Sequence, residues 1–168
     1  MKKRIIAGIL CGSAAVAASP ALAGTATGTL DTTLTVTTSC SIANGSAALD
    51  FGSIPAQTLA TPLDADTGAT LTVNCDGTAT SPTLAIGANN LVSGVRALKE
   101  TSGGTIPSVP YALYRDAGRT AEYTIDQAFP ISAFTAGSNS VTIYGRIASG
   151  TVIDQGSYND NVSLTITY

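Results

Sequence analysis

Apolar and polar residues alternate along most of this chain with a period of two, the spacing of a strand that buries one face. Leu30, Thr32, Leu34 and Val36 share one parity and Asp31, Thr33, Thr35 and Thr37 the other, so residues 26–37 are predicted to be extended and two-faced. Leu49 and Phe51 predict a short strand ended by Gly52. Leu71 and Val73 predict another that runs into Cys75 and stops at the turn signal Asp76-Gly77. Leu84 with Ile86, and then residues 95–100, predict two more. Tyr111 and Leu113 share a strand whose apolar series stops at Arg115, just before Asp116-Ala117-Gly118. Val141, Ile143 and Ile147 mark a later strand, with Gly145 as a bulge or a point of close approach. Val162, Leu164, Ile166 and Tyr168 alternate to the last residue. No window carries the period of a long amphipathic helix. Gly, Pro and Asn-Asp clusters interrupt the chain roughly every ten to fifteen residues, the spacing of a β-sandwich or barrel. The expectation is one all-β domain.

The first segment departs from this pattern. Lys2, Lys3 and Arg4 precede an apolar run, and Ala21-Leu22-Ala23 reads as a cleavage site, so residues 1–23 are expected to be a signal peptide with the mature chain starting at Gly24. The run is too short for a membrane span. Cys11 follows Leu10, where a lipid-attachment site wants a small residue, and ordinary cleavage removes it. Taking 23 residues from 168 leaves 145, a length that suits a single domain. Three of the eight basic residues leave with the signal, so five face eleven acids, a net charge of −6 with no electrostatic case for nucleic acid. Export to an oxidising compartment makes a disulfide between the two remaining cysteines, Cys40 and Cys75, the default.

The two ends matter most for function. The last strand runs to the final residue, and residues 26–37 precede the first mature cysteine. Two readings stand side by side. Residues 26–37 are the first strand of their own domain, or they are a free arm that fills an open edge of another copy, since an unpaired edge is a template for an alternating strand.

Little in the chain suggests catalysis. There is no histidine, the usual triad base and the commonest metal ligand. No G-x-S-x-G elbow or phosphate-cradling loop occurs. Asp64-Ala65-Asp66-Thr67-Gly68 lacks the third acidic position and the late Glu of a calcium loop and reads as a polar turn. Neither a metal nor a small-molecule cofactor is expected. Arg115, Asp116 and Arg119 read as a hairpin turn with solvated or paired arginines, or else as a partner contact. Tyr111, Tyr114, Tyr123 and Tyr144 read as half-buried packing before a sugar platform. A secreted hydrolase would need convergent carboxylates, which the spacing does not propose.

Several segments, in order, carry a resemblance. They are Gly28-Thr29-Leu30-Asp31-Thr32-Thr33-Leu34-Thr35-Val36 before Cys40, Leu49-Asp50-Phe51-Gly52, and Leu71-Thr72-Val73-Asn74-Cys75-Asp76-Gly77-Thr78. Tyr114-Arg115-Asp116 with Arg119, Ile143-Tyr144-Gly145-Arg146-Ile147, and Gly156-Ser157-Tyr158-Asn159-Asp160 before the terminal strand complete the set. Together they resemble the spore coat protein U family, whose best understood members are subunits of archaic chaperone–usher pili. The resemblance implies an incomplete immunoglobulin-like β-sandwich lacking its last strand, over residues 38–168, with an N-terminal donor-strand arm over residues 24–37. It implies that Leu30, Thr32, Leu34 and Val36 fill the groove of a neighbour; Thr32 departs from the aliphatic residue usual there. Cys40 and Cys75 match the family's cysteine pair. Val162, Leu164, Ile166 and Tyr168 would wall the acceptor groove, and the terminal carboxylate would anchor a chaperone. The implied partners are related subunits joined head to tail, a periplasmic chaperone and an outer-membrane usher, with the protein displayed at the cell surface. The length suits a shaft or adaptor subunit. A monomeric binding module for a carbohydrate or protein is the alternative.

Overall fold

The computed structural model describes residues 24–65, 67–76, 81–102, 106–132, 134–135 and 137–168. The signal-peptide reading of residues 1–23, together with Asp66 and Gly77, lies outside them. The chain divides into two units, residues 1–35 and 36–168. In the first, residues 24–35 are exposed and have no strand assignment. Leu30 and Leu34 are 90% and 87% exposed.

The second unit has no helix among its described residues and carries fourteen strands. Five form the largest sheet: β1 (Ser39–Ile42), β3 (Leu63–Asp64), β4 (Ala69–Asp76), β9 (Ala112–Tyr114) and β11 (Gly137–Ile147). β11 is its spine. Residues 137–143 pair antiparallel with β4, after which Tyr144, Gly145 and Arg146 pair with β9, and Arg146 and Ile147 with β3. β1 lies on the other side of β4. A second sheet has the order β10 (Ala128–Pro130), β5 (Thr83–Ile86), β14 (Leu164–Thr167). A third joins β6 (Leu91–Val92), β7 (Val95–Glu100), β8 (Val109–Pro110) and β13 (Tyr158–Asn159), and β2 (Gln57–Thr58) pairs with β12 (Val152–Ile153).

The alternation that predicts the strands also builds the core. Along β4, Ala69, Leu71, Val73 and Cys75 are buried, while the residues between them face outward as Thr70, Thr72, Asn74 and Asp76. Leu71 and Val73 meet Leu84 and Ile86 of β5, Val109 of β8, Leu113 of β9, and Ile143 and Ile147 of β11 in one apolar cluster. Sheets sharing one core in this way make a sandwich. Cys40 and Cys75 face each other across β1 and β4 and form the expected disulfide.

Three expectations about strands need correction. Residues 49–51 form no ladder: Ala47, Leu49 and Phe51 alternate into the core, but their segment has no partner strand among the described residues. Tyr111 lies between β8 and β9 rather than within a strand, and its buried ring packs edge-on against Phe51, centroids 6.1 Å apart. The last strand covers Leu164–Thr167 only, so Val162 and Tyr168 flank it. Gly145 is a point of close approach. A Cβ there would stand 2.4 Å from Leu49 Cδ2 and 2.8 Å from Phe51 Cζ.

Candidate functional site

The candidate site is an apolar groove in the second unit, between two edges that lack ladder partners among the described residues. One edge is β14, which pairs only with β5. Its register sets Leu164 opposite Ile86 and Ile166 opposite Leu84, so the inward side chains continue the core outward. The other edge continues from β1 through residues 43–52, where Ile42, Ala47, Leu49 and Phe51 turn toward the core. Gly52 turns the segment with φ +76°, and its N–H donates to Asp50 Oδ1 at 2.8 Å. Glycine takes that left-handed backbone freely.

Two hollows lie beside residues 43–52, and the first of them lies between the two edges. The first, of about 270 Å³, has Ile42, Ala47, Leu49 and Phe51 on one side and Asp160, Asn161, Val162 and Leu164 on the other, over a floor that includes Ile86, Leu113 and Ile143. The second, of about 720 Å³, runs from Leu49 and Phe51 toward Leu63, Ile147 and Ile153. Leu49, Phe51, Leu98 and Asp160 line both, so the hollows meet at that common wall.

Of the four terminal residues expected to wall a groove, Val162 and Leu164 line the first hollow. Ile166 packs against the core, and Tyr168 is 52% exposed. Of the four expected donor residues, Leu30, Leu34 and Val36 are each more than 80% exposed, and Thr32 is also exposed.

Polar anchors hold the groove walls. Asp160 Oδ2 accepts from the buried Tyr111 hydroxyl at 2.8 Å; its Oδ1 accepts from Asn90 Nδ2 at 2.8 Å and from the Asn161 N–H at 2.9 Å. Burial, with help from Asp160, pushes the Tyr111 phenol well above its ordinary range. Arg96 is 2% exposed and donates to the backbone carbonyls of Gly87, Tyr123 and Ile86 at 2.5–2.9 Å. Desolvation pulls its guanidinium below the usual value. These donations satisfy carbonyls beside β5, the strand on which β14 is built. Sequence reasoning missed both Asp160 and Arg96 as structural centres. Each carried only a weak signal, a charge inside an apolar run for Arg96 and a turn cluster for Asp160.

The residues expected in turns make intrachain contacts. Arg119, at φ +55°, donates to the carbonyls of Gly145, Ala117 and Ala65 and ion-pairs with Asp64 at 3.1 Å. Arg146 holds the same carboxylate through two bonds, 2.6 and 3.0 Å, in a planar fork. The Arg146 hydrogen bond is the main cause that lowers the Asp64 pKa below its ordinary 3.8. Asp116 accepts from the Ala121 and Thr120 N–H groups, Ala121 first in effect, and its carboxyl also lies below the ordinary value. Arg115 stacks over Phe129, 4.3 Å from the ring centroid. Tyr123 is buried, and Tyr114 and Tyr144 face each other across β9 and β11. Among the described residues, no cluster of three or more His, Cys, Asp or Glu could hold a metal ion.

Among curated sequences none matches the chain. The solved structures that resemble it include, with a TM-score of 0.49 and 17% identity, the crystal structure of the CsuC–CsuE chaperone–tip adhesion subunit pre-assembly complex from the archaic chaperone–usher Csu pili of Acinetobacter baumannii. The match covers 80% of this chain and 40% of that one. Residues 26–165, which include most of the exposed arm, Cys40 and Cys75 and the start of β14, match the Spore Coat Protein U domain, and the chain belongs to that family.

Proposed function

We propose that this protein is a structural subunit of a chaperone–usher pilus or surface fibre, and that it polymerises by donating residues 24–37 to the groove of the next subunit. The observation that carries this reading is the pairing of an apolar groove between two unpartnered edges with an arm whose alternate apolar side chains are exposed. An inserted strand gains backbone hydrogen bonds along β14 and fills the hollows with every second side chain. Burying Leu30, Leu34 and Val36 contributes about 1.5–3 kcal/mol each. Each backbone hydrogen bond adds about 1 kcal/mol net, offset by the cost of ordering the arm. The contact is head to tail, so it builds an open filament rather than a closed ring. Before assembly the groove would be held by a periplasmic chaperone, and an outer-membrane usher would exchange it for the arm. The fibre would then serve adhesion and biofilm formation at the cell surface. The role is structural, with no reaction catalysed.

The test is a gel of cell-surface extract, boiled and unboiled, from cells producing the wild type or Leu34→Arg. The substitution places an unpaired charge where an apolar side chain is to be buried. A multimer ladder that collapses on boiling and is missing from the variant is the expected result. A single monomer band in every lane, with the variant exported and folded, would refute strand donation and favour a monomeric binding module.

A further inference from the structure

The groove is not uniformly apolar, and neither is the arm. Asp160 stands at the wall common to the two hollows, a half-buried carboxylate with Leu49, Phe51 and Leu98 around the same junction. Three donors already hold it: Tyr111 Oη, Asn90 Nδ2 and the Asn161 N–H. An ionised carboxylate has about four acceptor sites, so one more donor can be accommodated. Along the arm, the parity that carries Leu30, Leu34 and Val36 is broken once, by Thr32, whose hydroxyl can donate.

We propose that the Thr32 hydroxyl of a donated arm binds the Asp160 carboxylate of the receiving copy and so fixes the register of the strand. This rests on the strand-donation reading above. Same-face residues in a strand repeat every 6.6 Å or so. With Thr32 at the junction, Leu30 therefore reaches into one hollow and Leu34 with Val36 into the other. A slip of two residues brings a leucine to the carboxylate and leaves a buried acceptor facing an apolar side chain, which costs free energy. A slip of one turns the apolar face outward. The occupant is thus the arm of a second copy of this chain, or one with a hydroxyl at the same place, in preference to an arm aliphatic throughout.

The test uses the full chain and labelled synthetic peptides of residues 24–38. Capture is read as a peptide–protein band that survives on an unboiled gel, and affinities come from competition between peptides. The wild-type and Thr32→Ser peptides are expected to bind. Thr32→Val, equal in shape, should bind about tenfold or more weaker, the scale of one hydrogen bond to a charged group. On an Asp160→Asn chain, whose amide oxygen is a weaker acceptor, that penalty should shrink. A second measurement covers an Asp160→Asn chain that fails to fold. A peptide with cysteine at position 32 should form a disulfide with an Asn161→Cys chain, and peptides with cysteine at 30 or 34 should not. Equal binding by Thr32→Val overturns the proposal and leaves strand donation standing, provided a Leu34→Arg peptide is rejected. An undiminished penalty on Asp160→Asn, or trapping from position 30 or 34, also overturns it. Failure of the wild-type peptide to bind removes strand donation and this inference together.

Discussion

Substituting Gly145 tests how the groove wall is built. An alanine Cβ there would stand 2.4 Å from Leu49 Cδ2, whereas ordinary contact begins at 3.4 Å, so Leu49 must retreat by about 1 Å; Phe51 Cζ, at 2.8 Å, must follow. The β11 backbone cannot yield instead, because Gly145 pairs with Leu113 inside the sheet. Leu49 can move, because residues 47–51 have no ladder, and it gives up part of a half-buried side chain as it does so. Overpacking of this kind costs about 1–3 kcal/mol. Replacing a glycine returns about 0.4–1 kcal/mol through the unfolded chain, since the native backbone here is not left-handed. Gly145→Ala should therefore destabilise by about 1–2 kcal/mol net. In a Leu49→Ala background the main clash is gone, and the same substitution should become close to neutral or stabilising. Denaturant unfolding of the four proteins in the cycle measures both. The same cost in both backgrounds, or no cost in either, would refute the account of Gly145 as the seat of Leu49 and Phe51.

Two further outcomes follow from the structure. Replacing Cys40 and Cys75 by serine should lower stability by about 4 kcal/mol, from opening a loop of sequence separation 35, read as a drop in the denaturation midpoint of the oxidised protein. Asp64 should contribute to acid stability. Its folded-state pKa is lowered from 3.8, so the unfolded chain takes up the proton first as pH falls. The contribution is present above 3.8 and lost as pH drops through the folded value; Asp64→Asn should flatten that part of the stability profile, and an unchanged profile would contradict the Arg146–Asp64 pairing.

Much of the fold was legible because side-chain alternation and burial are two views of one fact. Leu71, Val73 and Cys75 predict β4, and residues 95–100 predict β7 to the residue. Residues 49–51 show the limit of that signal. Their alternation correctly says that Leu49 and Phe51 face inward, but alternation says nothing of whether a partner strand stands alongside. The two-residue strands β2 and β12 were out of reach because two residues carry no period. Val162 and Leu164, which line the first hollow, stand out by their alternation, but Asp160 and Arg96 do not. Their roles come from distant contacts: Asp160 meets Asn90 and Tyr111, 70 and 49 positions away, and Arg96 meets the carbonyl of Tyr123, 27 positions away.

The place of the disulfide has a mechanical consequence. Within β1 only Ser39 precedes Cys40, and Cys40 is bonded covalently to β4. In subunits joined as proposed, tension arriving through the arm meets that bond after Ser39 and passes into β4, which is flanked by β1 and β11. Cys40 thus hands the load to β4 through a covalent bond as well as through the β1 backbone and its ladder. Pull on the subunit's own arm is thereby delivered covalently into the middle of the sheet before it reaches the wall that grips the following arm, so the joint does not depend on the four-residue β1 ladder alone.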